Sequence, residues 1–182
     1  FSENFELNAD LDEEKAIAVS DATFKYFNSD EYIFENLNLT LPRGKHIVIT
    51  GPNGSGKSTL LGLFSGVFYP ESGFIKTHTD RLGYVGASPM ILNSTLRENL
   101  TYAIDKEIED KAMFEMLQQF KLFNEENIDL DKKVSNKTLS MGQMQKISFI
   151  RALLSGVEIL ILDESTSNPV SYTHLTLPTT EA

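Results

Sequence analysis

A glycine-rich segment at residues 51–58, GPNGSGKS, carries the residues whose types and spacing most directly predict chemistry. Gly51, four intervening residues, Gly56, Lys57 and Ser58 match the pattern of a phosphate-binding loop, or P-loop. Glycines let successive backbone N–H groups converge on phosphate oxygens, and the start of the next helix adds partial positive charge. A lysine supplies a mobile cation, and a serine hydroxyl suits Mg²⁺. The segment therefore predicts a site for the phosphates of a nucleotide.

A second candidate follows an apolar run, where residues 159–162 (ILIL) lead into Asp163 and Glu164. In proteins with a P-loop, such a strand packs beside the strand that precedes the loop. Asp163 would then hold Mg²⁺ through water, and Glu164 would polarise the water that attacks the nucleotide. The alternative is an ordinary buried strand that ends in a polar turn. The P-loop favours the catalytic interpretation.

Short β-rich runs alternate with helix-like stretches around these motifs. We predict strands at residues 16–27, 38–41, 46–50, 82–85 and 157–162, and helices from the P-loop to Gly66, within 95–123 and over 141–154. Residues 46–50 (HIVIT) are typical of a buried strand. Thr95 and Glu98 are spaced as a capping box, and 105–122 has the apolar spacing of an amphipathic helix. The alternation predicts an α/β domain with a mainly parallel sheet.

The composition indicates one globular domain with an acidic balance. The 182 residues include 16 Lys and Arg against 26 Asp and Glu, a net charge of −10, and six of the acids precede Lys15. We interpret residues 1–15 as a solvated acidic linker. The acidity argues against a general nucleic-acid binder, and the lack of cysteine excludes disulfides and thiolate metal sites. No apolar run is long enough to span a membrane.

A third motif lies between the other two, at residues 139–143 (LSMGQ), and a helix containing Arg151 and Ala152 follows it. In this order and spacing, the P-loop, the pentapeptide and the acidic strand end resemble the ATP-binding cassette of ABC proteins. Met141 departs from the glycine usual in the pentapeptide. The resemblance covers residues 16–168 and implies a P-loop NTPase core with N-terminal antiparallel strands. It also implies an inserted helical subdomain at about residues 90–150.

The resemblance implies ATP and Mg²⁺ as ligands and a second cassette, identical or different, as a partner. The implied ATP-binding residues are Tyr26, Gly51, Pro52, Asn53, Gly54, Ser55, Gly56, Lys57, Ser58 and Thr59, with Ser58 and Asp163 on the metal and Glu164 as the catalytic residue. Ser140, Met141, Gly142 and Gln143 would contact the ATP that the partner cassette holds. Tyr26 would stack on the adenine, with Phe27 as the alternative.

Residues 91–99 (ILNSTLREN) resemble the segment of exporter-type cassettes that lies near the membrane domain. This likeness favours an ATPase that powers transmembrane export from the cytoplasmic face of the cell membrane. Its membrane domain would be fused upstream or be a separate subunit. Two alternatives are a soluble ABC ATPase without a transport role and an ATP-binding module with little hydrolysis.

The sequence departs from the family pattern in two places. Where the family usually has a glutamine after the strand at residues 82–85, this sequence has Ala87. Alanine neither ligates Mg²⁺ nor contacts the γ-phosphate, so a water or Ser88 would have to substitute, which bears on coupled hydrolysis rather than on binding. Beyond Asn168, residues 169–182 lack the expected continuation and read like translated sequencing-adapter DNA. We interpret them as a sequencing artefact after a truncated cassette.

Overall fold

The computed structural model describes residues 3–123 and 128–163, which fall into two compact units. The first unit holds the described residues up to Tyr84 together with Ser155–Asp163, and the second holds Val85–Leu154. The strands are β1 (Phe5–Glu6), β2 (Lys15–Phe24), β3 (Phe34–Pro42), β4 (Ser72–Thr77), β5 (Leu82–Val85), β6 (Ser94–Thr95), β7 (Lys133–Val134) and β8 (Ile159–Leu162). The helices are α1 (Lys57–Phe64), α2 (Leu96–Thr101), α3 (Asp110–Gln119) and α4 (Met141–Ser155).

A four-stranded sheet in the first unit has the strand order β1-β4-β2-β3. Strand β2 runs antiparallel to both β3 and β4, whereas β1 runs parallel to β4. In the middle of β2, Val19 pairs with Leu39 on one side and with Ile75 on the other. Val19, Leu39 and Ile75 are β-branched or apolar, which suits the half-buried face of a sheet. The predicted N-terminal antiparallel strands are confirmed.

Part of the acidic N-terminal segment belongs to this sheet. Residues 5–6 form β1, and the Phe5 ring packs edge-on against Tyr69 with 6.0 Å between ring centroids. Ala9 is buried, and its N–H donates to the carbonyl oxygen of Thr77 at 2.8 Å. Within residues 3–15 the structure thus differs from a fully solvated linker, because the Phe5 ring packs on Tyr69 and backbone hydrogen bonds join β1 and Ala9 to β4.

Strands β5 and β8 form a separate two-stranded sheet. At the start of both strands, the N–H groups of Glu158 and Ile159 donate to the carbonyl oxygen of Arg81 at 2.9 and 3.3 Å. Near the other end of β5, the Tyr84 hydroxyl donates a hydrogen bond to Asp163, which directly follows β8. The two strands therefore run in the same direction and end at the same edge. The sheets are mixed and alternate with helices, so the predicted α/β class is confirmed.

The core of the first unit lies between β2, β4 and α1. Its fully or nearly buried members are Ala16, Ile17, Val19, Ala22, Phe24, Leu63, Phe64, Ile75 and Ile161. Burying a Leu, Ile or Phe side chain contributes roughly 1.5–3 kcal/mol each. Because Leu63 and Phe64 end α1, this packing fixes the helix whose first residues close the P-loop.

One predicted element of this unit is wrong. Residues 46–50 (HIVIT) form no strand, and Val48 is 83% exposed rather than buried. A β-branched run can only become a strand if a neighbour takes up its backbone N–H and C=O groups. Among the described strands, β8 pairs with β5, and none is hydrogen-bonded to residues 46–50.

In the second unit, the helix predicted within residues 95–123 is divided. Thr95 and Glu98 form the predicted capping box at the start of α2: the Thr95 hydroxyl accepts from the Glu98 N–H at 3.1 Å, and the Glu98 carboxylate accepts from the Thr95 N–H at 3.1 Å. Helix α2 nevertheless ends at Thr101, since Ala103 has a φ of 58°, which an α-helix does not allow. Helix α3 is the core of the predicted amphipathic segment and buries Met113 and Leu117. Within the described ranges, no helix has the length and apolar character needed to cross a bilayer.

Ser148, on α4, has a buried hydroxyl oxygen with no hydrogen-bond partner among the described residues. An unpaired buried hydroxyl costs free energy relative to an apolar group. We expect Ser148→Ala to raise the free energy of unfolding by about 1 kcal/mol, measured by chemical denaturation. Ser65→Ala is the control, because the Ser65 hydroxyl donates to the carbonyl oxygen of Gly62 at 3.1 Å and its removal should lower stability. A loss of stability in Ser148→Ala would contradict the prediction.

Arg97 connects three segments of the second unit through carboxylates. Its guanidinium donates to both carboxylate oxygens of Asp110, at the start of α3, and to Asp131 at 3.2 Å. These hydrogen bonds from Arg97, with a smaller contribution from its charge, hold the pKa of Asp110 below its usual 3.8. Because the folded-state pKa is the lower one, the interaction stabilises the fold above the ordinary pKa and is lost as the pH falls through the folded value.

We therefore expect Asp110→Asn to lower stability at neutral pH and to have less effect in strong acid, where Asp110 is already protonated. Urea midpoints at about pH 7 and about pH 2 measure this difference. Asp105→Asn removes an exposed carboxylate nearby and should change the midpoint little at either pH. An equal effect of Asp110→Asn at both pH values would show that the charge is not the cause.

Candidate nucleotide-binding site

The P-loop forms an exposed turn that leads directly into α1. Residues 51–55 are exposed, and α1 begins at Lys57 with Gly56 as its N-cap residue. Gly54 and Gly56 have φ values of 81° and 87°, which side-chain-bearing residues rarely adopt. A Cβ on Gly56 would also lie 2.9 Å from the Ile33 side chain. Conformation thus favours glycine at both positions, and space favours it at Gly56 as well. The first N–H groups of α1 have no partner within the helix and can bind a ligand.

Lys57 is held by the loop that it belongs to. Its ammonium group donates to the carbonyl oxygens of Gly51 at 3.0 Å and Pro52 at 2.8 Å. The cation therefore stays over the loop, where it can exchange these carbonyls for phosphate oxygens. The predicted residues Gly51, Pro52, Asn53, Gly54, Ser55, Gly56, Lys57, Ser58 and Thr59 all lie in this loop or in the first turn of α1.

Ser58 and Asp163 meet although 105 positions separate them in the sequence. The Ser58 hydroxyl donates to Oδ1 of Asp163 at 3.0 Å. This contact brings the P-loop and the acidic end of β8 together within the first unit. A hydroxyl and a carboxylate are hard oxygen ligands, and Mg²⁺ commonly takes one or two protein oxygens plus water and phosphate oxygens. The pair fits Mg²⁺ in that mode, and no group of three or more metal-binding side chains occurs among the described residues.

Tyr84 is a contact of this site that the sequence reasoning missed. Its hydroxyl donates to Oδ2 of Asp163 at 3.0 Å. Burial raises the pKa of Tyr84 to about 12, and the hydrogen bond and charge of Asp163 add to the shift, so the phenol keeps its proton at neutral pH. The available signal was the alternation within β5, where Gly83 and Val85 are buried and Tyr84 faces the other way.

The two aromatic candidates for the adenine differ in their surroundings. The Tyr26 hydroxyl lies 2.7 Å from the Thr59 hydroxyl, and its ring packs edge-on against Phe24 and Phe68 at centroid distances of 5.3 and 5.6 Å. Tyr26 is nevertheless 42% exposed, whereas Phe27 is fully exposed. Tyr26 is thus tied to the first turn of α1, and Phe27 has the freer ring.

In the second unit, the LSMGQ motif forms the start of α4. Ser140 is the N-cap residue: its N–H donates to the Gln143 side-chain oxygen at 2.9 Å, and its hydroxyl accepts from the Gln143 N–H at 3.2 Å. This reciprocal pair is a capping box. Ser140, Met141 and Gly142 are exposed, so the capped start of α4 lies at the surface.

The sequence also singles out residues near the end of β5 and residues beyond β8. Ala87 and Ser88 are exposed in the bend that follows β5. Glu164, the predicted catalytic residue, lies outside the described residues, as do residues 169–182.

Comparison with known proteins identifies the chain. The family model described as ABC transporter matches residues 34–167. Similar proteins include an uncharacterized ABC transporter ATP-binding protein, y4gM, of Sinorhizobium fredii (32% identity, 83% of this chain and 28% of the relative). They also include the ATP-dependent permease MDL1 of Candida albicans (35% identity, 74% and 22%) and the ATP-dependent lipid A-core flippase of Vibrio parahaemolyticus (30%, 83% and 29%).

This chain spans less than a third of the length of these relatives. The matched range contains the P-loop, the LSMGQ motif and β8 with Asp163, and it covers most of the chain. The chain therefore belongs to the ABC transporter family, of which it contains the ATP-binding P-loop domain.

Proposed function

We propose that this chain binds ATP together with Mg²⁺, hydrolyses it, and thereby powers transmembrane export as part of an ABC transporter. The observation that carries the proposal is the 3.0 Å contact between the Ser58 hydroxyl and Asp163. It joins the phosphate loop to a carboxylate at the end of a strand, which is the arrangement that a metal–nucleotide complex needs.

At the phosphate end, each residue has a distinct role. The N–H groups of residues 51–59 would bind phosphate oxygens, and Lys57 would neutralise the outer phosphates. Ser58 and Asp163 would hold Mg²⁺, whose charge offsets that of the phosphates when it is bound. Glu164 would accept a proton from the water that attacks the γ-phosphate in line, so that the bond to the β-phosphate breaks.

At the base end, Tyr26 would stack on the adenine, with Phe27 as the alternative. The exposure of the Tyr26 ring supports its role, because 42% exposure leaves surface for an adenine to cover. The complete exposure of Phe27 supports the alternative. Either ring would contribute through stacking, which tolerates small shifts of the base.

The partner of this domain would be a second cassette, identical or different. Ser140, Met141, Gly142 and Gln143 would contact the ATP held by that partner. The exposed, capped start of α4 supports this role, since helix N-termini favour anions. ATP binding would close the two cassettes on each other, and hydrolysis would reopen them.

Export requires a membrane domain, fused upstream or as a separate subunit, with this domain at the cytoplasmic face of the membrane. Relatives named as permease, flippase and Alpha-factor-transporting ATPase support this proposal. They give no support to a soluble ATPase without a transport role. Reading the source gene through both ends of this sequence tests the proposal, and membrane-spanning helices encoded in frame upstream or by an adjacent gene are the expected result.

The nucleotide chemistry is tested by measuring ATP affinity and ATP turnover separately on the purified chain, with and without Mg²⁺. We expect micromolar to millimolar binding that Mg²⁺ strengthens, and no retention of nucleic acid. A second candidate, an ATP-binding module with little hydrolysis, is favoured by Ala87, which offers no side-chain oxygen where the family usually has glutamine. Tight binding with no turnover, in an intact version of the protein as well, would favour that module.

A further inference from the structure

The carboxylate of Asp163 is held through both of its oxygens. The Ser58 hydroxyl donates to Oδ1 and the Tyr84 hydroxyl donates to Oδ2, each at 3.0 Å. A carboxylate with one hydrogen bond can rotate about its last side-chain bond, since that torsion is broad and weakly restricted. With a hydrogen bond on each oxygen, the carboxylate plane has a defined direction.

We propose that Tyr84 is a positioning residue, which holds Asp163 in the orientation that directs Oδ1 towards Ser58, and that this orientation would help the pair to hold Mg²⁺. This inference rests on the proposed function, in which Ser58 and Asp163 hold Mg²⁺. It assigns to Tyr84 an effect on the cation without contact to it.

Of the two groups that donate to Asp163, only the Ser58 hydroxyl would also bind the cation. The Ser58 hydroxyl has one hydrogen and two lone pairs, so it would turn a lone pair to Mg²⁺ and could still donate to Oδ1, but only in the direction that the cation leaves to its hydrogen. The Tyr84 contact lies on the other oxygen and would persist. Mg²⁺ demands near-ideal octahedral geometry, so a carboxylate that swings would also misplace the water through which it would hold the cation, at a cost in affinity. Tyr84 is therefore the contact of Asp163 whose direction does not depend on how Ser58 meets the cation.

Tyr84 is itself well placed to do this. Strands β5 and β8 are hydrogen-bonded to each other, with the N–H groups of Glu158 and Ile159 donating to Arg81. The register of Tyr84 and Asp163 is therefore set by strand pairing and not by the P-loop. A phenol is also a neutral donor, so it orients the carboxylate without the repulsion that a lysine or arginine would exert on Mg²⁺.

Tyr84→Phe tests the inference, because it removes only the hydroxyl. Equilibrium binding of ATP is measured over a series of Mg²⁺ concentrations and in the presence of a chelator. We expect ATP affinity without Mg²⁺ to change less than about twofold, and the half-saturating Mg²⁺ concentration to rise about tenfold, as happens when a hydrogen-bond partner of a metal ligand is lost. Tyr69→Phe is the matched control in the same unit, and it should leave both values unchanged.

Tyr84→His is the second variant, because a ring N–H can replace the hydroxyl as a donor. We expect the Mg²⁺ dependence of Tyr84→His to lie between those of the parent and Tyr84→Phe. If Tyr84→Phe does not fold, Tyr84→His alone provides the test. Unchanged Mg²⁺ dependence in the folded variants would overturn the inference while the parent still binds Mg²⁺ and ATP. Equal losses with and without Mg²⁺ would also overturn it, since they indicate general damage. A parent that binds no ATP would overturn the proposed function, and this inference with it.

Discussion

Lys57→Met is expected to lower the affinity for Mg²⁺–ATP by about 100-fold. Lys57 is the one charged residue within residues 51–58, and its ammonium group already lies over the loop carbonyls of Gly51 and Pro52. A hydrogen bond to a charged group contributes about 1.5–3 kcal/mol, and loss of about 3 kcal/mol corresponds to roughly a hundredfold change in dissociation constant. Methionine keeps the length and apolar stem of lysine while removing the charge.

The measurement is equilibrium binding of a fluorescent ATP analogue, with thermal unfolding of the nucleotide-free protein as a check on folding. Lys45→Met is the matched control, because Lys45 is exposed shortly before the loop and carries the same charge. We expect it to change affinity less than about threefold through long-range charge alone. If the two variants lost affinity equally, the effect would come from net charge, and Lys57 would have no special role.

Gly73→Ala is expected to lower the free energy of unfolding by about 3–5 kcal/mol, enough to unfold many domains. Gly73 is the second residue of β4 and has a φ of 78°, which costs an alanine about 1–2 kcal/mol. A Cβ there would also lie 2.3 Å from the carbonyl oxygen of Asp21 and 2.5 Å from that of Ser20. Both oxygens are backbone atoms of β2, which pairs with β4 on one side and β3 on the other, so neither can easily move.

Gly44→Ala separates the two causes. Gly44 has a similar φ of 63°, but a Cβ on it would meet nothing within 4 Å. It should therefore show only the conformational cost, about 1 kcal/mol. Denaturant midpoints compare the two variants. If Gly73→Ala has no folded baseline, soluble yield and circular dichroism replace its midpoint. Similar losses in both would mean that β2 yields to the Cβ and that overlap contributes nothing.

The features that the sequence predicted correctly depend on residues close together along the chain. The capping box of Thr95 and Glu98 spans one helical turn, and the structure contains both of its hydrogen bonds. Strand β5 and helix α4 lie where alternation and apolar spacing predict them. The P-loop is likewise local, since its glycines and Lys57 need only the turn and the start of α1.

The features that the sequence left undecided depend on which distant segments become neighbours. Residues 46–50 have the composition of a buried strand, yet Val48 is exposed because no described strand pairs with them. Helix α2 does not continue through Ala103, although alanine is the best helix former. Ala103 has a left-handed backbone conformation, which its own helix propensity does not predict. Local preference is worth tenths of a kcal/mol per residue, and tertiary packing readily exceeds it.

By itself, the sequence predicted the chemistry that we propose for this protein: a loop for phosphates, a carboxylate after an apolar run, and a helix start that carries Ser140 and Gln143. These are patterns of residue type at fixed spacing, so they can be recognised without knowing the fold. Only the tertiary structure decided that Tyr84 reaches the second oxygen of Asp163, because two strands more than 70 residues apart had to pair in one register. Spacing along the chain carries no information about such a pairing, whereas hydrogen bonds between strands and burial of their apolar faces select it.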